Sequence, residues 1–214
     1  MALIGPKDKL RSQLRESWKS SRATLSCGGM KYPALLLVML ALVLPNTAHA
    51  EDWSLLKRPG AIAMMRHALA PGGGDPAGFT VRECSTQRNL DARGRAQARR
   101  IGAAMRERGI AFDAVLSSAW CRCLDTASEM AMGAVETFAP LNSFFGNRAD
   151  GPAQTEALRD FLTDQPEDRR ILLVTHQVTI TALTGVFPSS GEIVVFDMTS
   201  EGAVDVLGTI EVDP

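Results

Sequence analysis

Histidine and cysteine are scarce in this 214-residue chain, at three and four residues. There is no Cys-x2-Cys pair and no His-x3-His spacing, which argues against a zinc site. An excess of positive charge is also lacking: 23 Lys and Arg face 24 Asp and Glu. No apolar run reaches the roughly 20 residues that a membrane-spanning helix needs. The run Ala34 to Leu44 holds eleven apolar residues, a rise of about 16 Å against roughly 30 Å of hydrocarbon. Beyond residue 50 there are no internal repeats, low-complexity tracts or linkers, so that part reads as one domain with one sizeable core.

The first fifty residues have a different character. Lys7, Lys9, Arg11, Arg15, Lys19, Arg22 and Lys31 precede the apolar run, and Pro45 and the triplet Ala48-His49-Ala50 follow it. A basic region, a short apolar region and a small-residue site describe a secretory signal peptide. The expectation is an N-terminal extension and signal over 1–50, with Met30 a second candidate start, and cleavage after Ala50. A periplasmic or secreted domain over 51–214 follows, with an uncleaved membrane anchor as the alternative. Seven of the 23 cations and two of the 24 acids fall in residues 1–50, leaving 16 against 22 in the domain. That acidic balance argues against a nucleic-acid partner. All but Lys57 of those 16 are arginines, which suit planar recognition of oxyanions. In an oxidising compartment a disulfide is expected. Cys121 and Cys123 lie too close to pair without strain, so Cys84 pairs with one of them and an odd thiol remains.

The pattern past residue 60 alternates strand and helix. Apolar runs at 61–65, 114–118, 135–141 and 171–176 read as strands, the last being the clearest buried one. Helices are expected over 91–108, about 120–132, 155–164 and from about 180, and two strands around Gly202 close the chain as a hairpin. This order predicts an α/β fold, a three-layer α/β/α sandwich on a mostly parallel central sheet.

Open α/β sheets bind ligands at the carboxyl ends of their strands. The first strand ends in Arg66-His67, the second in Ser117-Ser118 with Arg122 shortly after, and the fourth in Thr175-His176 before a helix. Singly, each has an ordinary account: a structural histidine, a solvated arginine, capping serines. Jointly, two imidazoles, two guanidinium groups and a helix N-terminus suit a phosphate dianion.

The segments carrying these residues are RHA (66–68), NLDARGRAQARRIG (89–102), SSAWCRCLDTA (117–127) and VTHQVTITALTG (174–185). In order and spacing they resemble the histidine phosphatase (phosphoglycerate mutase-like) superfamily, branch 1. The second segment has Leu90, Gly94, Gln97 and Ala98 in the positions of that family's helix motif. The resemblance implies a phosphoglycerate mutase-like fold and a metal-independent phosphatase without cofactor. It implies His67 as the nucleophile that becomes phosphohistidine, Arg66 and Arg122 as the phosphate clamp, and His176 as a further hydrogen-bond donor. Backbone N–H groups of Gln177 and Val178 would join the cradle.

Two positions depart from the family pattern. Ala68 stands where glycine is usual, a small change. Ser143 stands where mutase-type relatives carry a glutamate proton donor, and a hydroxyl is too weak an acid for that role. Either another carboxyl serves, with Asp75, Glu83 and Asp150 as candidates, or the phosphate is activated. Loop carboxylates are otherwise expected to be solvated. Arg88, Gln177 and Asn142 are candidate substrate contacts, with surface exposure the plain alternative for Arg88. Phe144, Phe145 and Trp120 suit a pocket wall or, for Trp120 above all, core packing. The expected function is an exported phosphatase for a small phosphorylated substrate, an envelope sugar phosphate being one natural target. The alternative is a phosphatase-like module that binds phosphorylated ligands without turnover. A phosphoglycerate mutase is disfavoured by Ser143 and by the export signal.

Overall fold

A computed structural model describes residues 52–212. The expected signal peptide over 1–50 lies outside the described residues. Among the described residues no helix is long and apolar enough to cross a membrane.

Six strands form one sheet: β1 (Ile62–Arg66), β2 (Ala114–Ser117), β3 (Val135–Thr137), β4 (Ile171–Thr175), β5 (Ile193–Met198) and β6 (Val204–Ile210). Their order is β3-β2-β4-β1-β5-β6. The pairs β3-β2, β2-β4 and β4-β1 are parallel, while β5 runs antiparallel to β1 and to β6. Four helices cover the sheet: α1 (Ala92–Glu107), α2 (Cys121–Met130), α3 (Gly151–Thr163) and α4 (Gln177–Thr184).

Side-chain alternation along the strands sorts the helices between two faces. Ala63 and Met65 of β1, Leu172 and Val174 of β4, and Ile193 and Val195 of β5 pack with Ile101 and Met105 of α1 and Ala127 and Met130 of α2. Their neighbours Ile62, Met64, Ile171, Leu173, Val194 and Phe196 pack with Leu158 and Leu162 of α3 and Ile180 and Leu183 of α4. The central strands are therefore apolar throughout because both faces are covered. The result is the expected three-layer sandwich.

Two glycines let α1 approach closely. A Cβ on Gly102 would lie 1.9 Å from the Met130 carbonyl oxygen, and one on Gly94 would lie 1.9 Å from that of Leu69. Gly94 thus brings α1 against the turn that follows β1. Gln97 fastens the same turn: its Oε1 accepts from Leu69 N–H at 2.9 Å, and its Nε2 donates to the carbonyls of Ser190 and Val212.

Two elements differ from the sequence expectation. The strand expected over 135–141 stops at Thr137, and Ala139–Leu141, with Pro140 inside, forms a 3-10 turn. Proline lacks the N–H that a ladder requires. Helix α3 starts at Gly151, four residues ahead of the expected Thr155. Pro152 occupies its first turn, where a missing N–H costs nothing.

Candidate active site

β1, β2 and β4 lie side by side, so their carboxyl ends deliver side chains to one place. His67 follows β1, and its N–H donates to the Thr175 carbonyl at 2.9 Å. Ser118 follows β2, with its N–H on the Val174 carbonyl at 3.0 Å. His176 follows β4 and caps α4. Arg122 stands in the first turn of α2. The two imidazole rings sit edge to face with centroids 5.6 Å apart, and Trp120 packs on His176 at 5.4 Å.

Both rings are almost fully buried, His67 at 2% exposure and His176 at 4%. His67 Nδ1 lies 2.8 Å from the Ala68 carbonyl oxygen. A carbonyl only accepts, so Nδ1 carries the proton and Nε2 keeps its lone pair. Burial foremost, and the neighbouring Arg122, Arg88 and Arg66 charges, push the His67 pKa down to about 3, despite the Ala68 hydrogen bond. Burial, His67 and the same three arginines drive His176 well below its ordinary value. Both rings are neutral at working pH, the form in which a histidine is a nucleophile.

Arg122 is 4% exposed at its side chain and pairs with Asp75, itself 8% exposed, through Nη1 at 2.7 Å and Nη2 at 3.2 Å. Asp75 also accepts from Trp120 Nε1 at 3.1 Å and Arg88 N–H at 3.1 Å. Burial raises the Asp75 carboxyl, but the Arg122 hydrogen bond and charge, with the other donors, hold it below the ordinary carboxylate value. An ionised carboxylate with four donors has no proton to give at neutral pH. In the free protein Asp75 orients Arg122.

The guanidinium Nε atoms of Arg66 and Arg122 are both buried and without a hydrogen-bond partner. Arg66 Nη1 donates to the Pro188 carbonyl at 2.9 Å, and Arg122 Nη1 and Nη2 donate to Asp75. A buried donor left unpaired is costly, and two cationic ones in a single site call for an anion.

Arg66, His67, Asp75, Arg88, Arg122, His176 and Gln177 line a cavity of about 580 Å³. Phe79, Trp120, Phe145 and Val178 add apolar wall, and Gly72–Gly74, Ser143, Gly146 and Asn147 complete it. Of the sequence candidates, Glu83 and Asp150 are exposed and do not line it. Asn142 sits behind it, accepting from Ala119 N–H at 2.9 Å. The side chain of Asp75 is only 8% exposed, against the expectation of a solvated loop carboxylate, and Arg88 is half-buried, against that of a surface arginine. Trp120 is both core and wall. Sequence reasoning missed Phe79, Asn147 and the 72–74 loop as wall; the glycine cluster before Asp75 was the available signal. The cystine joins Cys84 to Cys121, and Cys123 is free and buried. Among the described residues no group of three His, Cys, Asp or Glu side chains could hold a metal ion.

A family model for the histidine phosphatase superfamily (branch 1) matches residues 62–157. No curated protein matches the sequence. Among solved structures, the fold is similar to the protein histidine phosphatase SixA complexed with tungstate, at 16% identity and TM-score 0.52 over 70% of this chain and 96% of that one. It is similar to phosphoserine phosphatase from Entamoeba histolytica with 3-phosphoglyceric acid, at 16% identity and TM-score 0.51 over 71% and 97%. It is also similar to a mycobacterial glucosyl-3-phosphoglycerate phosphatase, at 17% identity and TM-score 0.51 over 70% and 98%. At these identities the likeness concerns the fold.

Proposed function

We propose that this member of the histidine phosphatase superfamily, branch 1, hydrolyses a phosphomonoester or activated phosphate through a phosphohistidine on His67. The observation that carries this reading is the pair of buried, unpartnered guanidinium Nε–H groups of Arg66 and Arg122 beside a neutral His67 ring. The phosphoryl oxygens take donors from these two guanidinium groups, which line the cavity and hold phosphorus in line with His67 Nε2. The Nε2 lone pair forms the N–P bond while the P–O bond breaks, and the leaving group departs with its electron pair. Water then attacks phosphorus, the P–N bond breaks back onto Nε2, and inorganic phosphate leaves. The guanidinium groups supply the positive charge, so no metal step is needed.

The leaving group receives no proton from a free wall carboxyl, since Asp75 is committed to Arg122. That favours leaving groups stable as anions or protonated by solvent. The signal-like residues 1–50 support export, and in an envelope compartment a sugar phosphate is a natural substrate. The substrates for which two of the structural neighbours are named, glucosyl-3-phosphoglycerate and phosphoserine, are likewise small phosphomonoesters.

The test is hydrolysis of p-nitrophenyl phosphate by the purified protein in the presence of a chelator, with acid-quench trapping of labelled phosphate. Label on the wild type and none on His67→Ala is the expected result. Tight phosphate binding with no label on either protein would instead establish a binding module. Full activity in His67→Ala would remove the mechanism.

A further inference from the structure

Arg122 Nη2 lies 3.4 Å from His176 Nδ1. Guanidinium nitrogens only donate, so in the free protein Nδ1 presents its lone pair and the single proton of the neutral ring sits on Nε2. Nε2 lies 2.8 Å from Ser118 Oγ, which accepts that proton's hydrogen bond. Cys123 Sγ, 3.5 Å from Nε2, is a weak second acceptor and has its own S–H on the Thr175 carbonyl. Ser118 Oγ also accepts from Trp120 N–H at 3.3 Å and donates to Asn142 Oδ1 at 3.3 Å. The hydroxyl is then saturated.

A phosphoryl oxygen in the cavity needs the opposite tautomer. An anionic oxygen accepts, so His176 serves it only with the proton on Nδ1. Nε2 then needs a donor, and the fully buried Ser118 hydroxyl at 2.8 Å, a stronger donor than the Cys123 thiol at 3.5 Å, becomes one by turning its hydrogen from Asn142 to His176. Asn142 Oδ1 keeps the Ala119 N–H at 2.9 Å, so the rotation strands no buried polar atom. In both arrangements the Ser118 hydroxyl donates to a partner, and the Arg122 Nη2 group that gives up Nδ1 keeps its bond to Asp75 Oδ2 at 3.2 Å, which limits the cost of the switch.

Resting on the phosphatase reading above, we infer that Ser118 is a positioning residue. Its rotating hydroxyl, with Asn142 as the alternative acceptor, moves the His176 proton from Nε2 to Nδ1 when a phosphoryl group enters. Asn142 is then the second half of the device, acting through Ser118.

Nitrogen NMR on histidine-labelled protein tests this directly, because the chain has three histidines and a His176→Gln variant assigns one of them. In the wild type the proton is expected on Nε2 when free and on Nδ1 with tungstate bound. Ser118→Ala is expected to hold the Nε2–H form in both states and to lower kcat/KM by about 10–100-fold, with His67 still labelled by phosphate. Ser118→Thr, which keeps the hydroxyl, is expected to restore most of that loss. Asn142→Ala removes the alternative acceptor and is expected to shift the free protein toward Nδ1–H. If the wild type binds tungstate and labels His67 while His176 keeps one tautomer throughout, or if Ser118→Ala still switches, the inference about Ser118 fails and the phosphatase reading stands. If tungstate does not bind and His67 is never labelled, both fall.

Discussion

On one side of the candidate pocket the chain from Leu69 to Leu90 contains no strand and only a short 3-10 turn, yet it is fastened at many points. Asp75 pairs with buried Arg122, Arg88 donates to the carbonyls of Gly74 and Ala70, and Gln87 holds Thr80, Val81 and the N–H of Cys121. The cystine Cys84–Cys121 ties the segment to the residue before Arg122. On the opposite side, residues 142–150 are equally irregular. There the fastening gathers at Asn142, which accepts from Ser118 Oγ, Ala119 N–H, Thr179 Oγ1 and Gln154 Nε2, and beyond it come a few short backbone turns and buried Phe144 packed on Gly151. Phe145, at 56% exposure, has only the Arg148 guanidinium over its ring, at 5.0 Å. In the proposed reaction the first wall sets the geometry of the Arg122 clamp, whereas the second would face the leaving group. A site needs the first to be rigid and leaves the second free to suit a substrate.

Asp75→Asn is the hardest test of that contrast. It keeps the shape but leaves a buried guanidinium without its counter-charge, which should cost about 3–5 kcal/mol of stability and lower kcat/KM roughly 100-fold as Arg122 loses its orientation. Urea unfolding and steady-state kinetics measure both. If Asp75 were a general acid instead, stability would hold and only the basic limb of the pH-rate profile would vanish. Next in size is the cystine. It closes a loop of 37 residues, so reduction should cost about 3–4 kcal/mol on the loop-closure account and raise KM as the wall loosens. Cys84 is exposed and within reach of dithiothreitol. An unchanged urea midpoint and KM after reduction would mean the hydrogen bonds hold this wall alone.

The walls and the floor between them were unequally legible. The floor between them could be read because Arg66, His67 and His176 sit at the ends of apolar strands, where topology dictates a crevice. Arg122 could be read through its place in a motif. The walls could not, since an irregular segment takes its shape from distant partners. Asp75 is buried by Arg122 and Trp120, 47 and 45 positions away, and nothing local distinguishes it from a solvated loop acid. The partner of Cys84 stayed open between Cys121 and Cys123 until helix phase decided it. On α2 Cys121 faces the wall, while Cys123 turns inward to His176 and the Thr175 carbonyl. Helix α3 was placed too late because Gly151-Pro152 reads as a loop, although proline is at home in a first turn.

The floor makes its own, smaller prediction. His67, with its pKa pushed to about 3, refuses a proton that the unfolded chain accepts below about pH 6.5. The unfolded state therefore binds more protons between those values, and stability falls as pH falls across that window. Between pH 7 and pH 5 His67 alone should cost about 2 kcal/mol, and His176 shifts in the same direction. The depressed Asp75 carboxyl loses its contribution only below the ordinary carboxylate range, so it does not mask the effect. Urea midpoints at the two pH values, compared with those of His67→Gln, should differ in slope. Equal slopes would mean that His67 is not held neutral.

The smallest expected effect belongs to the second wall. Phe145→Ala removes an exposed ring that no buried group depends on, so stability should change by less than about 0.5 kcal/mol. Tungstate binding, which the proposed mechanism assigns to the floor and the first wall, should be unchanged. What should move is KM for substrates with an aromatic leaving group, by a few-fold, with kcat preserved, since a ring that contacts only the leaving group binds ground and transition states alike. A loss of tungstate affinity in Phe145→Ala would place the second wall within the phosphate machinery, and the division between a fastened wall and an adaptable one would no longer hold.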